Sequence, residues 1–229
     1  MATASQATLI PITNAGFELG SDGSGGVAEF GTPDSWEEDF PRSTNQNPHP
    51  AQFANSGTSA AVDPGPLGSI MARIAVNGDS DPLTTFEGSI SPEGTLGTYA
   101  ADTVYTLTFH AAWESGWIPS GSWFAWGGFR DGADGTANVV SEVDVDIKDL
   151  GDSGTFGEAS VTLSTVDQPS LVGQDMDIFV GFRHRDNYNK TMYFDDVSLD
   201  AAVLSEPSTV ALFAGLSALG LILYRRRRA

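Results

Sequence analysis

The chain has 229 residues, 40% of them hydrophobic, which is enough for one sizeable folded domain and argues against disorder. Its 30 acidic residues outnumber 11 basic ones, and the formal net charge of −19 argues against nucleic acid as a partner. Cysteine is absent from the sequence, which excludes disulfides, thiolate metal sites and cysteine nucleophiles.

The N-terminal residues indicate a processing site. The small residues Ala2 to Ala7 are typical of the region around a signal-peptide cleavage site, but Met1 to Pro11 contain neither the basic nor the apolar part of a signal. We therefore expect residues 1–8 to be the remnant of such a region and the true start to lie upstream of Met1. The in-frame codons before Met1 test this hypothesis, since a stop codon reached before any apolar run would contradict it.

Residues 9–200 have the pattern of an all-β domain. From Ser21 to Pro66 the chain is polar and rich in glycine, proline, asparagine and serine, which predicts long loops rather than strands. Beyond it, runs of β-branched and aromatic residues are separated by turn signals such as Asn77-Gly78. Eight strands are predicted, at Leu67–Val76, Leu83–Ile90, Val104–Trp113, Ser122–Arg130, Asn138–Ile147, Ala159–Leu163, Asp177–His184 and Met192–Leu199.

Alternation within these runs predicts how the strands are buried. Tyr105, Leu107 and Phe109 alternate with polar residues, which is typical of a strand with one buried face. No stretch before residue 205 has a convincing helical period. Eight or more strands at this spacing predict a β-sandwich.

The last part of the chain predicts a membrane segment. After a short linker at 201–204, an apolar stretch runs from Val210 to Tyr224 and is followed by Arg225, Arg226, Arg227 and Arg228. Fifteen helical residues measure roughly 22 Å, so this short transmembrane helix spans the bilayer only if the bilayer thins or the arginines extend toward the headgroups. The arginines would hold their end in the cytoplasm and leave the preceding domain outside. The alternative is a buried core helix with a basic cap.

Residues 205–229 also resemble a known sorting signal. The order of a short motif at Ser205, Glu206 and Pro207, an apolar segment and terminal arginines is the layout of PEP-CTERM proteins, although Ser205 replaces the usual first proline. The resemblance implies export by a bacterium that makes exopolysaccharide and processing by an exosortase-type enzyme near the motif. It implies a place in the cell envelope or extracellular matrix, with transient or permanent anchoring in the membrane.

Two distant segments carry a second resemblance. Asn14 to Gly20 and Tyr193 to Leu199 are similar to paired segments in the carbohydrate-binding jelly rolls of the galactose-binding-like superfamily. The resemblance implies a jelly-roll β-sandwich in which the segments lie side by side and hold a structural calcium ion, with Glu18 and Asp195 or Asp196 as ligands. Carboxylates and carbonyls can supply the six to eight oxygens that calcium takes, and the ion would relieve their repulsion. The alternative is that these acids are solvated residues at strand ends.

Tryptophans form the second candidate site. Four of them fall within fourteen residues, and indole rings stack on the apolar faces of sugars. Neighbouring residues of a strand point to opposite faces, so part of this cluster must be core. Trp117, in a probable loop, is the best candidate for exposure. The predicted ligand-binding residues are Trp36, Trp117, Trp123 and Trp126.

Other motifs predict no catalysis. Gly151-Asp152-Ser153-Gly154 copies the start of a serine-protease motif but continues differently, and the three isolated histidines support no catalytic triad. Nothing marks out a carboxylate pair for glycoside hydrolysis. Arg183 to Arg185 form a basic cluster that we expect to pair with nearby acids, with contact to an anionic polysaccharide as the alternative.

These observations together predict an exported bacterial surface or matrix protein. Its β-sandwich would be a non-catalytic, calcium-stabilised module that binds exopolysaccharide or another glycan. The alternatives are an acidic structural matrix protein without a sugar site and, third, a carbohydrate-active enzyme.

Overall fold

The computed structural model describes residues 7–17, 35–39, 52–55, 70–76, 86–113, 123–132, 138–184 and 190–204. Within these ranges the chain forms eleven β-strands and two short 3-10 helices, Ile147–Asp149 and Pro169–Leu171. The strands are β1 Ala7–Ile10, β2 Trp36–Asp39, β3 Gln52–Asn55, β4 Ile70–Val76, β5 Phe86–Pro92, β6 Thr103–Trp113, β7 Trp123–Asp131, β8 Asn138–Asp146, β9 Gly157–Ser164, β10 Met176–His184 and β11 Lys190–Val203.

The strands form two antiparallel sheets. One has the order β3-β4-β11-β6-β9, with β1 added alongside β11, and the other has the order β2-β5-β10-β7-β8. Strand β11 is the longest, and it pairs with β6 on one side and with β4 and β1 on the other. A shared hydrophobic core contains residues of both sheets. The predicted all-β sandwich is therefore confirmed.

The eight predicted strands are all present, with ends that differ by a few residues. The predicted alternation in β6 is also confirmed, because Tyr105, Leu107 and Phe109 are buried while the residues between them are half-buried. These strands were predictable because each carries enough apolar residues in period two to identify its buried face.

Two predictions about the chain's course were wrong. Strands β2 and β3 lie within the region 21–66, which the sequence predicts as loops, because four-residue edge strands such as Trp-Glu-Glu-Asp show no apolar alternation. Residues 201–203, predicted as linker, continue β11, where Ala201 pairs with Thr8 and Tyr105. In both places, the strand forms because it pairs with a strand that is distant in the sequence.

The alternation of side chains in β7 divides core from surface. Trp123, Ala125 and Phe129 belong to the core cluster, whereas Trp126 and Arg130 lie on the opposite face of the sheet. Between them, Gly127 allows close packing, since a Cβ there would lie 2.5 Å from Cε1 of Phe109. The strand therefore anchors the core with one face and directs Trp126 and Arg130 to the other, where both are almost fully buried.

Among the described residues, no helix is long and apolar enough to cross a membrane. The predicted membrane segment Val210–Tyr224, the motif before it and the arginines after it lie outside the described residues.

Candidate functional site

The outward face of the five-stranded sheet carries an unusual set of side chains. Core residues of β5, β7 and β10 alternate with charged, hydroxyl and aromatic residues on this face. We call this surface the polar face, and it consists of Glu87, Ser89, Ser91, Trp126, Arg130, Glu142, Asp144, Asp177, Phe179 and Arg183.

A row of side chains in mutual contact crosses the polar face. The guanidinium carbon of Arg130 lies 4.3 Å from the ring centroid of Phe179, whose ring centroid is 4.5 Å from that of Trp126. At the far end, the guanidinium carbon of Arg183 lies 4.2 Å from the Trp126 ring centroid. Each cation contacts the face of an aromatic ring, which favours this geometry and fixes the side chains.

Arg183 organises the open end of the polar face. Its Nε donates to Glu87 at 3.1 Å and its Nη1 to both oxygens of Asp144 at 3.0 and 2.9 Å. Its Nη2 donates to Glu142 at 3.4 Å, and the same carboxylate accepts a 2.8 Å bond from Nε1 of Trp126. The expected pairing of this arginine with nearby acids is confirmed. The side chains of Glu142 and Asp144 are 42% and 37% exposed, so solvent reaches this end.

The other end of the polar face is closed. Asp177 and Arg130 are only 1% and 5% exposed, with Oδ2 of Asp177 3.5 Å from Nη1 of Arg130. Nη2 of Arg130 lies 3.4 Å from the hydroxyl of Ser89, and the backbone N–H of Ile178 donates to Asp177 at 2.7 Å.

Burial governs the acid–base properties of this pair. It raises the pKa of Asp177 to about 7, although the nearby Arg130 guanidinium acts in the opposite direction. Burial also lowers the pKa of Arg130, against the favourable charge of Asp177. Perturbed groups of this kind cluster at functional sites.

Three of the four predicted ligand-binding tryptophans are described. Trp36 packs against Phe17 with ring centroids 4.8 Å apart, and Trp123 packs against Phe182 at 6.2 Å. Both are buried in the core and present no open ring to a sugar, which corrects the prediction for these two. Trp126 lies on the polar face, but it is only 5% exposed and its ring is covered by Arg183, so the prediction of an open ring is corrected here too. Trp117 lies outside the described residues.

The two segments predicted to adjoin do so in the structure. The backbone N–H of Val197 donates to the carbonyl of Ala15 at 3.0 Å, beside a register shift in β11 between Asp195 and Ser198. Asp195 is buried and its Oδ1 accepts a 2.8 Å bond from the N–H of Asp196. Glu18 lies outside the described residues, within which no group of three potential ligands is assembled. The calcium site stays a prediction.

Sequence reasoning missed the closed end of the polar face. In β10, Asp177 lies between the core residues Met176 and Ile178. A charged residue in an otherwise apolar strand was the signal in the sequence that could have indicated this end. The contact between Asp177 and Arg130 follows from the pairing of β10 with β7, which the local pattern does not specify.

Comparisons with known proteins support the fold. No protein-family model matches the chain, and no curated protein matches it. A cyclase from Fischerella sp. TAU has a TM-score of 0.63 at 18% identity, covering 88% of this chain and 100% of that one. The Stig cyclase FisC from the same source, in complex with (3Z)-3-(1-methyl-2-pyrrolidinylidene)-3H-indole, has the same score and identity and covers 87% and 100%.

The solved structures that match also include carbohydrate-binding modules. TmCBM61 in complex with β-1,4-galactotriose has a TM-score of 0.46 at 15% identity, covering 82% of this chain and 95% of that one. At such identities, the likeness to the cyclases shows a shared β-sandwich fold and leaves the activity to be argued from the site itself.

Proposed function

We propose that the domain is a non-catalytic glycan-binding module of the galactose-binding-like jelly-roll type, in an exported bacterial surface or matrix protein. The observation that carries the proposal is the open end of the polar face, where Arg183 is held by three carboxylates above an indole ring. Sugar hydroxyls both donate and accept hydrogen bonds, so they can pair with the carboxylates and with the guanidinium. The Trp126 indole is only 5% exposed, so it supports the guanidinium from below and leaves the contacts with a sugar to the polar groups.

The arrangement is fixed before a ligand arrives. Arg183 lies on β10, and the four side chains around it come from β5, β7 and β8 of the same sheet. Their mutual hydrogen bonds and the stack on Trp126 reduce the side-chain freedom that binding would otherwise remove. A rigid sheet face with exposed acceptors supports recognition of a hydroxyl-rich partner better than a role through bulk charge.

A glycan array tests the proposal. The full-length chain is compared with Asp144→Asn, which removes one charge beside Arg183, and with Glu158→Gln, which removes one charge on the six-stranded sheet. We expect binding to at least one glycan, weakened about tenfold by Asp144→Asn and unchanged by Glu158→Gln. Thermal melting checks that both variants remain folded. A folded chain that binds no glycan would contradict the proposal and favour the acidic structural protein.

We further propose that calcium stabilises the domain. The contact between Ala15 and Val197 brings a backbone carbonyl close to the strand that carries Asp195 and Asp196. Carbonyl and carboxylate oxygens are the ligands that a calcium ion prefers. Glu18 would complete the set. The ion would neutralise the repulsion between these carboxylates.

The proposed location follows from the C-terminal residues. The three-part order of motif, apolar segment and arginines supports sorting by an exosortase-type enzyme, with Val210–Tyr224 in the membrane during or after export. Exopolysaccharide of the same cell would then be the nearest glycan.

A further inference from the structure

A cavity lies between the segment that follows β1, the start of β2 and the loop that follows β5. Its volume is about 320 Å³, at the lower end of the range for small-molecule sites. None of the residues that line it belongs to the polar face, so it is separate from the proposed glycan site. Two of the lining residues, Thr13 and Glu93, are exposed, which means that a small ligand can enter from solvent.

Hydrogen bonds hold the walls of the cavity in place. Nε1 of the core residue Trp36 donates to the carbonyl of Thr13 at 3.2 Å, and the backbone N–H of Glu93 donates to the carbonyl of Ser35 at 2.9 Å. Ser35 has a φ of +67°, a conformation that is unfavourable for serine unless its contacts hold it, and such residues often mark ligand sites. The three segments are therefore joined before a ligand binds, which reduces the entropy that binding would lose.

Three polar side chains at the cavity have unused hydrogen-bonding groups. Within the part of the chain that the structure describes, neither the carboxylate of Glu93 nor the hydroxyls of Thr13 and Ser35 have a partner. The fourth polar residue, Thr95, is already engaged, because its hydroxyl donates to the carbonyl of Gly97 at 2.8 Å. The cavity thus offers one negative charge and two hydroxyl oxygens to a ligand.

We propose that this cavity binds an aliphatic primary ammonium group. The ammonium has three N–H donors, and it donates them to the carboxylate of Glu93 and to the hydroxyl oxygens of Thr13 and Ser35. The methylene groups next to it contact the apolar part of the lining, which includes Pro92 and Leu96. The inference goes beyond the proposed glycan binding and does not depend on it.

The lining favours this ligand over other classes. The carboxylate of Glu93 and the net charge of −19 oppose an anion. An uncharged apolar ligand would leave the polar groups desolvated without partners, and a neutral alcohol would make weaker hydrogen bonds to a carboxylate than an ammonium does. Calcium takes six to eight oxygens, whereas half of the lining residues are apolar.

Isothermal titration calorimetry on the full-length chain tests the site, with butylammonium as the probe and butanol as its uncharged analogue. We expect saturable binding of butylammonium and none of butanol. Glu93→Gln should weaken the binding by about tenfold or more, and Thr13→Val, which keeps the shape of the side chain, by roughly threefold to tenfold. The matched control Glu158→Gln removes the same charge at an exposed position of β9 and should leave the binding unchanged.

Three results would overturn the proposal: no saturable binding of butylammonium, equal binding of butanol, or equal weakening by Glu93→Gln and Glu158→Gln. The last would indicate attraction to the acidic surface as a whole. Melting curves establish that each variant is folded, and the glycan array tests the glycan-binding function independently. Lysine side chains and amino sugars both carry such an ammonium group. Whichever of Nα-acetyl-lysine amide and methyl glucosaminide binds more tightly identifies the source.

Discussion

At the scale of single residues, Asp177 departs far from its ordinary chemistry. Its carboxyl is almost fully buried beside Arg130, with one oxygen bonded to the backbone of Ile178. Burial disfavours the ionised form, and the nearby guanidinium only partly offsets that effect, so the pKa rises to about 7. The protonation state of this one group therefore changes near neutral pH.

This shift predicts how stability depends on pH. Between about pH 4 and pH 7, Asp177 is protonated in the folded chain and ionised in the unfolded chain. The contribution of Asp177 to the free energy of unfolding therefore falls as the pH rises through this range and is constant above about pH 7. The loss is at most about 1.4 kcal/mol per pH unit. We expect the stability of the native protein relative to Asp177→Asn to increase on acidification from pH 8 to pH 5.

Urea denaturation of both chains across this range measures the effect. The matched control is Asp175→Asn, which removes a carboxylate at an exposed position two residues away. If the Asp177→Asn difference is constant across this range, the Asp177 carboxyl does not titrate in this window.

At the scale of elements, β11 connects the two ends of the chain. It pairs with β1 near its C-terminus and is interrupted by the irregularity at Asp195–Ser198. Asp196 has a φ of +50°, and Asn14 in the adjoining turn has a φ of +52°. Such left-handed backbone is unfavourable for these residues unless local contacts hold it, and it often marks a ligand site. Both predicted calcium segments thus contain left-handed backbone at a residue other than glycine.

Calcium should therefore raise the melting temperature. At a concentration about 100 times its dissociation constant, an ion that binds only the folded state adds about 2.7 kcal/mol, or roughly 5–10 °C for a domain of this size. We expect Asp195→Asn to lose this response and the exposed control Asp152→Asn to retain it. Scanning calorimetry with calcium and with a chelator measures the change in melting temperature. Identical melting curves for the native chain would show that calcium does not stabilise the domain.

At the scale of the whole molecule, the negative net charge limits the partners that the domain can bind. A formal charge of −19 keeps the chain soluble at high concentration and repels other polyanions. Within the polar face, carboxylates outnumber guanidinium groups, which favours uncharged glycans over acidic ones. We propose that the apolar segment and the arginines after it hold the chain at the membrane until it is processed.

Processing of that segment is testable in the producing cells. We expect mass spectrometry of the mature protein to find its C-terminus near Ser205–Pro207, without the arginines. Glu206→Gln should leave the unprocessed chain in the membrane fraction, whereas Glu158→Gln should be processed normally. A mature native protein that still ends in Arg225–Arg228 would indicate an ordinary membrane anchor instead of a sorting signal.

The sequence determined most of the fold because its longer strands carry their own periodic signal. The alternation of Tyr105, Leu107 and Phe109 specifies a buried face whatever the strand pairs with. The short strand β2 carries no such signal, since three of its four residues are acidic and only pairing with β5 makes it a strand. The pairing of Ala15 with Val197 was predictable only through a family resemblance.

The candidate site was decided by tertiary structure. Arg130, Asp177 and Ser89 come from three different strands, and nothing within any one strand specifies which strands are neighbours. Likewise, the sequence marks Trp123 and Trp126 equally as sugar platforms, and only the packing of β7 buries the first in the core and places the second under Arg183. Local sequence thus determined which of the longer strands form. The sheet order determined the short edge strands and which side chains meet, because contacts between distant segments depend on the packing of the whole chain.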